Sequence, residues 1–202
     1  APRCPVWWNI QNEEPRPVAP EDIIAAENAA PADGPARSSN PFADLFRKPD
    51  QRPWDSVNFV TSHDGFSLRD LVSYDRKHNE ANGEDNRDGS NDNHSNNCGH
   101  EGPTSDAAIV ALRRQLRKNQ LACLFLALGT PLMLAGDEVG NSQNGNNNAY
   151  CQDNETGWVN WDNLGKPGDD LTDFVGHMTA LRRRFAQLRS QRWLDGRRKD
   201  GS

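Results

Sequence analysis

Two short runs carry the residue types that do chemistry. The first is Ser62-His63-Asp64-Gly65, an imidazole and a carboxylate ahead of a glycine, directly after the β-favouring stretch Val57-Asn58-Phe59-Val60-Thr61. The second is Gly136-Asp137-Glu138, two carboxylates after the apolar run Pro131-Leu132-Met133-Leu134-Ala135. Such groups can serve as acid, base or nucleophile, or support a developing positive charge. In α/β folds ligands sit beyond the carboxyl ends of the strands, where these runs fall. His63, Asp64, Asp137 and Glu138 are therefore the chemical candidates. From the residues alone, Asp64 and Glu138 can pair as nucleophile and acid. The first run also reads as a polar turn closing a strand.

The elements that must position these groups follow in order. Val57–Thr61 is expected to be a buried strand. Phe66 to Tyr74 has a short helical face at Leu68, Leu71 and Val72. From Lys77 to Gly102 no large apolar residue occurs, and a structureless loop of that length inside a domain is often functional. A helix capped by Thr104 or Ser105 carries apolar residues at Ile109, Leu112, Leu116, Leu121, Leu124, Phe125 and Leu128 and stops at Gly129. Pro131–Ala135 is then a second, fully buried strand. Strand, loop, helix, strand make one βαβ unit with a parallel pair. A last amphipathic helix is expected over about Asp169 to Leu188.

The polar loops suggest a ligand class. Asn141 to Glu155 is rich in asparagine and is closed by Trp158 and Trp161. Amides donate and accept, and aromatic faces suit the apolar faces of sugars, so a neutral polyhydroxyl ligand fits. Asparagine runs are also good turns. In the earlier loop Glu84, Asn86, Asp88 and Gly89 match the opening of a calcium loop. The bidentate glutamate such a loop ends on is replaced by Ser95, so the run reads as turns, with calcium as a secondary alternative. The four cysteines, Cys4, Cys98, Cys123 and Cys151, show no CxxC spacing, which argues against zinc. Neither a metal nor another cofactor is expected. Reduced thiols in a cytoplasmic protein are the default, with Cys123 a buried helix residue.

A net charge of −6 argues against nucleic acid or anionic membrane as a partner. Leu121 to Ala135 is too short to span a bilayer, and no apolar leader follows Ala1-Pro2-Arg3-Cys4-Pro5. Hydrophobic content is only 34%, so core-forming residues must be concentrated, and they are, at 109–135 and 171–188. Residues 1 to about 50 are Pro- and Ala-rich and read as mostly irregular. One short helix is expected at Pro20–Ala29, and Trp7-Trp8 as an anchoring pair.

Four separated runs, in order, resemble the bacterial glycogen debranching enzymes, isoamylase-like members of the α-amylase family. They are Phe59 to Phe66, His78 to Gly89, Gly129 to Glu138 and Gly145 to Glu155. The resemblance runs from about Leu45 onward. It implies an α/β fold, part of a (β/α)8 TIM barrel with Val57–Thr61 as seventh strand and Pro131–Ala135 as eighth, plus long irregular loops. It implies three segments: 1–44 irregular and of unclear relation, 45–189 the C-terminal part of the barrel, and 190–202 the start of a linker.

By the same resemblance Asp64 is the third catalytic carboxylate, stabilising an oxocarbenium-like transition state. His63, Glu80, Asn82 and Asn148 are substrate contacts, and Glu138 is a support residue rather than the acid. The partner implied is glycogen or a branched α-glucan such as a limit dextrin, and the reaction is retaining hydrolysis of α-1,6 branch linkages. A retaining glycosidase needs a nucleophile and a general acid across the scissile bond. In the family these sit on the fourth and fifth strands, and residues 1–50 hold no Arg-x-Asp strand motif or second strand-tip glutamate. The chain alone is therefore expected to be inactive. Two strands cannot close a barrel, so it is also expected to be loosely organised or completed by the remaining strands. The alternative from another class is a non-catalytic carbohydrate-binding module.

Overall fold

The computed structural model describes residues 52–166 and 170–192. The Pro20–Ala29 helix, the Trp7-Trp8 pair, Cys4 and the 1–44 segment lie outside the described residues.

The chain divides into two units. The described part of the first comprises residues 52–58, 128–130 and 185–192. It holds β1 (Val57–Asn58), which pairs with β2 (Thr130–Pro131) in a two-stranded sheet. The Thr130 N–H donates to the Ser56 carbonyl at 2.7 Å, and Asn58 Nδ2 donates to the Leu128 carbonyl at 2.5 Å. Gly129 is required here. Its φ is +112°, and a Cβ would fall 2.7 Å from Asn58 Nδ2 and 2.9 Å from the Ser56 oxygen.

Both strands are shorter than the sequence predicts. β1 stops at Asn58 rather than Thr61, and β2 covers Thr130–Pro131 rather than 131–135. Val57 is 48% exposed, and Leu132, in the run expected as the second strand, is 42% exposed, so neither expected run is fully buried. The reason is pairing. Each strand has one neighbour among the described residues, and Pro131 brings no N–H with which to extend a ladder.

The second unit comprises 59–127, 131–166 and 170–184 among the described residues. Its helices are α1 (Leu68–Leu71), α2 (Ala107–Leu126) and α3 (Thr172–Arg184). α2 begins later than expected because Asp106, not Thr104 or Ser105, caps it. The Asp106 carboxylate accepts from the Ala108 N–H at 2.8 Å and the Ile109 N–H at 3.3 Å. It ends at Leu126, short of Gly129. Arg182 of α3 donates to the carbonyls of Phe125 at 2.8 Å and Ala127 at 2.7 Å, a cation on the last orphan carbonyls of a helix. α3 stops at Arg184 instead of Leu188, and Ala186–Arg189 form a 3-10 turn. None of the described helices is long and apolar enough to cross a membrane.

The core of this unit is Leu68, Leu121, Phe125, Leu171 and Met178, with Val60, Met133, Phe174, Val175 and Leu181 packed against it. It lies where α1 and α3 meet the C-terminal half of α2. The N-terminal half of α2 departs from the apolar pattern. Leu112 is 44% exposed, while Arg113 and Arg117 are buried. Arg113 faces inward because its guanidinium has acceptors there: the carbonyls of Gly102, Asn97 and His100. Those bonds fasten the end of the 75–102 loop to the helix. Cys123 is half-buried rather than buried, and Cys98, Cys123 and Cys151 form no disulfide among the described residues.

Candidate functional site

The turn from Thr61 to Leu68 presents His63 and Asp64. Both side chains stand in solvent, 87% and 81% exposed, with His63 Nε2 3.4 Å from Asp64 Oδ2. An exposed pair at that distance contributes little and does not lock either side chain. Their placement must come from the backbone, which is held at several points. Asp137 Oδ2 accepts from Thr61 Oγ1 at 2.5 Å, and Asp137 Oδ1 accepts from the Leu68 N–H at 2.9 Å. Gly65, at φ +91°, donates its N–H to the Asn147 carbonyl at 3.0 Å. Ser67 Oγ donates to the Asn141 carbonyl at 2.9 Å.

Asp137, a chemical candidate by sequence, has both oxygens committed and is 1% exposed, so it acts as an internal acceptor. Burial pushes its carboxyl up to about 6, assisted by the neighbouring Glu138 and Asp70 carboxylates and opposed by the bonds from Thr61 and Leu68. Glu138 is half-buried and accepts from the Gly136 N–H at 3.0 Å, while its own carbonyl receives the Leu171 N–H at 2.7 Å. Asp70 is the second internal acceptor. It is fully buried and takes Ser142 Oγ at 2.5 Å and the Gln143 N–H at 2.7 Å. Burial raises its carboxyl above the usual range against those bonds.

The two asparagine-rich loops are laced to one another. Asn79, 0% exposed, donates to the Asp88 carbonyl and to Asn147 Oδ1, and its Oδ1 accepts from the Asn147 N–H. Asn82 Nδ2 donates to Asp88 Oδ2 at 2.7 Å and to the Asn148 carbonyl at 2.9 Å. Its Oδ1 accepts from Asn146 and Gln152. Asn148 gives one amide hydrogen to Asp88 Oδ2 at 3.0 Å. Glu80 is exposed at the start of a 3-10 turn, Glu80–Asn82. Lys77 Nζ closes the base of the loop on the carbonyls of Asp88 and Gly89. Hydrogen bonds from Asn82 above all, then Asn148 and Asn79, pull the Asp88 carboxyl below its usual value, against a smaller push from burial.

These bonds place the residues of the calcium-like run. Glu84 accepts from the Tyr150 hydroxyl at 2.8 Å, Asn86 Oδ1 accepts from the Asn79 N–H, and Asp88 Oδ2 is surrounded by amides. Among the described residues no group of three or more His, Cys, Asp or Glu side chains is placed to hold a metal. At the other end of the loop Glu101 accepts from the Asp75 and Arg76 N–H groups, Asn97 Nδ2 and His78 Nε2. Burial raises the Glu101 carboxyl, but those four bonds outweigh it and bring it down to about 2.

The structure therefore links the His63–Asp64 turn, Asn82 and Asn148 through one scaffold, with Glu80 exposed at its edge. Asn147 holds the His63–Asp64 turn by Gly65, and its chain neighbour Asn148 shares Asp88 with Asn82. Trp158 and Trp161 are 58% and 64% exposed, with Trp158 Nε1 donating to Asp153 Oδ1 at 3.0 Å. Asn79, Asn147 and Asp70 were not singled out by sequence reasoning. Asp70 carried one local signal, Ser67-x-x-Asp70 at a helix start. The asparagines carried none, because inward and outward amides look alike in a polar run.

No family model matches the chain. Individual proteins do. A glycogen debranching enzyme of Serratia proteamaculans is 52% identical over 151 residues, 75% of this chain and 22% of that protein. A glycogen operon protein GlgX homolog of Mycobacterium tuberculosis is 50% identical over 154 residues, 76% of this chain and 21% of that protein. A glycogen debranching enzyme of Pectobacterium carotovorum is 49% identical over 158 residues, 78% of this chain and 24% of that protein. The chain thus spans between a fifth and a quarter of the length of these relatives.

Proposed function

We infer that this chain, homologous over three quarters of its length to one segment of the bacterial glycogen debranching enzymes, carries the sugar-gripping end of such an enzyme's catalytic barrel. In this reading the strands Val57–Asn58 and Thr130–Pro131 belong to the seventh and eighth barrel strands. Asp64 holds hydroxyls of the glucose ring being cleaved and stabilises its oxocarbenium-like transition state. His63 hydrogen-bonds the same ring. Glu80 and Asn148 reach the glucan from the laced loops, and Asn82, expected by sequence to be a substrate contact, has both amide hydrogens and its oxygen engaged within the scaffold and holds Asp88 in place. The substrate is glycogen or a branched limit dextrin, cut at α-1,6 linkages with retention.

The observation that carries the reading is the exposed His63–Asp64 pair on a backbone pinned at Thr61, Gly65 and Leu68. A binding site needs polar groups that face solvent from a backbone that is held in place, and this turn supplies both. The nucleophile and general acid lie elsewhere. They act as a unit, so their loss removes most of the catalysis, and the chain alone does not hydrolyse glucan.

The experiment is a graft. The matched segment of the Serratia proteamaculans enzyme is replaced by this chain's residues, and release of linear chains from a branched limit dextrin is followed. Debranching by the graft, with none by the free chain, is expected. A folded but inactive graft overturns the debranching role. Hydrolysis by the free chain at the rate of a full-length relative overturns its inactivity.

A further inference from the structure

We propose that Asp137 is a positioning residue: its single carboxylate closes both ends of the Thr61–Leu68 turn and so fixes where His63 and Asp64 stand. The role deepens the debranching reading and rests on it for its catalytic consequence.

Three observations lead to it. Asp137 cannot meet substrate, since it is 1% exposed and each oxygen already has a donor. Its two donors flank the exposed tip of the turn: Thr61 is the last buried residue before it, and Leu68 lies two residues past Phe66, where the chain is buried again. Thr61 is 6% exposed and Leu68 is 0% exposed, while His63 and Asp64 between them are in solvent. The Leu68 N–H is also the first amide of α1, an orphan donor that needs an acceptor from outside the helix. One carboxylate therefore satisfies the helix start and ties it to the end of the preceding segment.

The side chains at 63 and 64 have little else to orient them. They face each other at 3.4 Å, and Ser62 Oγ donates to the Asp64 carbonyl at 3.0 Å. A displacement on the order of 1 Å at a reacting group costs about 100-fold in rate. A slack turn would allow that displacement without unfolding the protein.

The substitutions separate positioning from bulk stability. Asp137→Asn keeps the clamp, because the amide carbonyl accepts from Leu68 and the amide N–H donates to Thr61 Oγ1. Asp137→Ala removes both bonds. Thr61→Val, nearly isosteric, removes one and leaves the carboxylate. Amide hydrogen exchange is read on the 202-residue chain, and kcat and KM on the Serratia graft with branched limit dextrin. Asp137→Ala and Thr61→Val are expected to speed exchange at Gly65 and Leu68 at least tenfold, leaving Leu121 and Leu124 in α2 as they were. In the graft kcat falls at least tenfold with little change in KM, and Asp137→Asn restores both readouts.

Unchanged exchange at Gly65 and Leu68 in both variants overturns the proposal, as does an equal rise throughout α2. An inactive parent graft with turn-confined exchange changes speaks against the debranching role alone, and the clamp stands.

Discussion

The Asp137 clamp makes a pH-dependent prediction whose sign and size follow from its surroundings. In the closed turn burial pushes the carboxyl from 3.8 up to about 6. When the turn opens, the group is hydrated and returns to its ordinary value. The closed form therefore binds a proton more tightly, and closure is strongest below about pH 4. That stabilisation is lost as pH rises toward 6, and above 6 the dependence is flat. A difference of about 2 pKa units at 1.36 kcal/mol each is about 3 kcal/mol, or roughly 100-fold in the protection of an amide. Protonation does not break the clamp: the neutral carboxyl still accepts from Leu68 and donates to Thr61 Oγ1. The groups facing Asp137 are Glu138 on its own turn and Asp70 on α1. Arg69 of α1 donates to the Gly140 carbonyl. Asp70, itself raised by burial, contributes the same sign, so the comparison is made with Asp137→Asn. The assay is the protection factor of the Leu68 amide between pH 4 and 7.5. Wild type falls about 100-fold across pH 4–6 relative to Asp137→Asn. A wild-type profile parallel to that of Asp137→Asn refutes the reasoning.

The other predictions concern the scaffold. Gly89→Ala puts a Cβ 2.3 Å from Asn147 Oδ1 at a φ of +69°, so it loosens the lacing between the loops by about 1–3 kcal/mol, read as faster exchange at the Asn147 amide. Glu101→Gln replaces one of the two accepting oxygens by a donor. With its side chain a third exposed, the loss is discounted to roughly 1 kcal/mol and appears as faster exchange at Asp75 and Arg76. Because the Glu101 carboxyl is lowered to about 2, its contribution is present above about pH 4.5 and lost as pH falls through 2, opposite in sign to Asp137. Arg182→Met leaves the Phe125 and Ala127 carbonyls without their cation and destabilises the end of α2 by about 1–2 kcal/mol, measured by exchange at Leu124 and Phe125.

The sequence displayed the helices well, because α2 and α3 each repeat apolar residues at helical spacing around the core. It displayed strand existence but not strand length. Val57–Thr61 and 131–135 look alike as β-favouring runs, yet a strand extends only as far as a partner's backbone does, and partners are not written into the run itself. Arg113 ran against the apolar pattern for the same kind of reason: three loop carbonyls from Asn97, His100 and Gly102 decide its direction, and none is visible from the helix. At the site, His63 and Asp64 read from the sequence as the tip of a strand, but the strand stops at Asn58 and the pair stands on the turn that follows. Asp137 was legible only as a carboxylate. Its role as an acceptor depends on Thr61 and Leu68, some seventy residues earlier in the chain, and no local spacing encodes that distance.

The central claim is that Asp64 stabilises the transition state of branch-point hydrolysis. Asp64→Asn in the Serratia graft tests it most directly, since the side chain is 81% exposed and its replacement leaves the fold intact. The account predicts that debranching of limit dextrin drops by at least about 100-fold, as for loss of one preorganised electrostatic group, while glucan binding is largely kept. Debranching by the Asp64→Asn graft at the rate of the parent graft would contradict it.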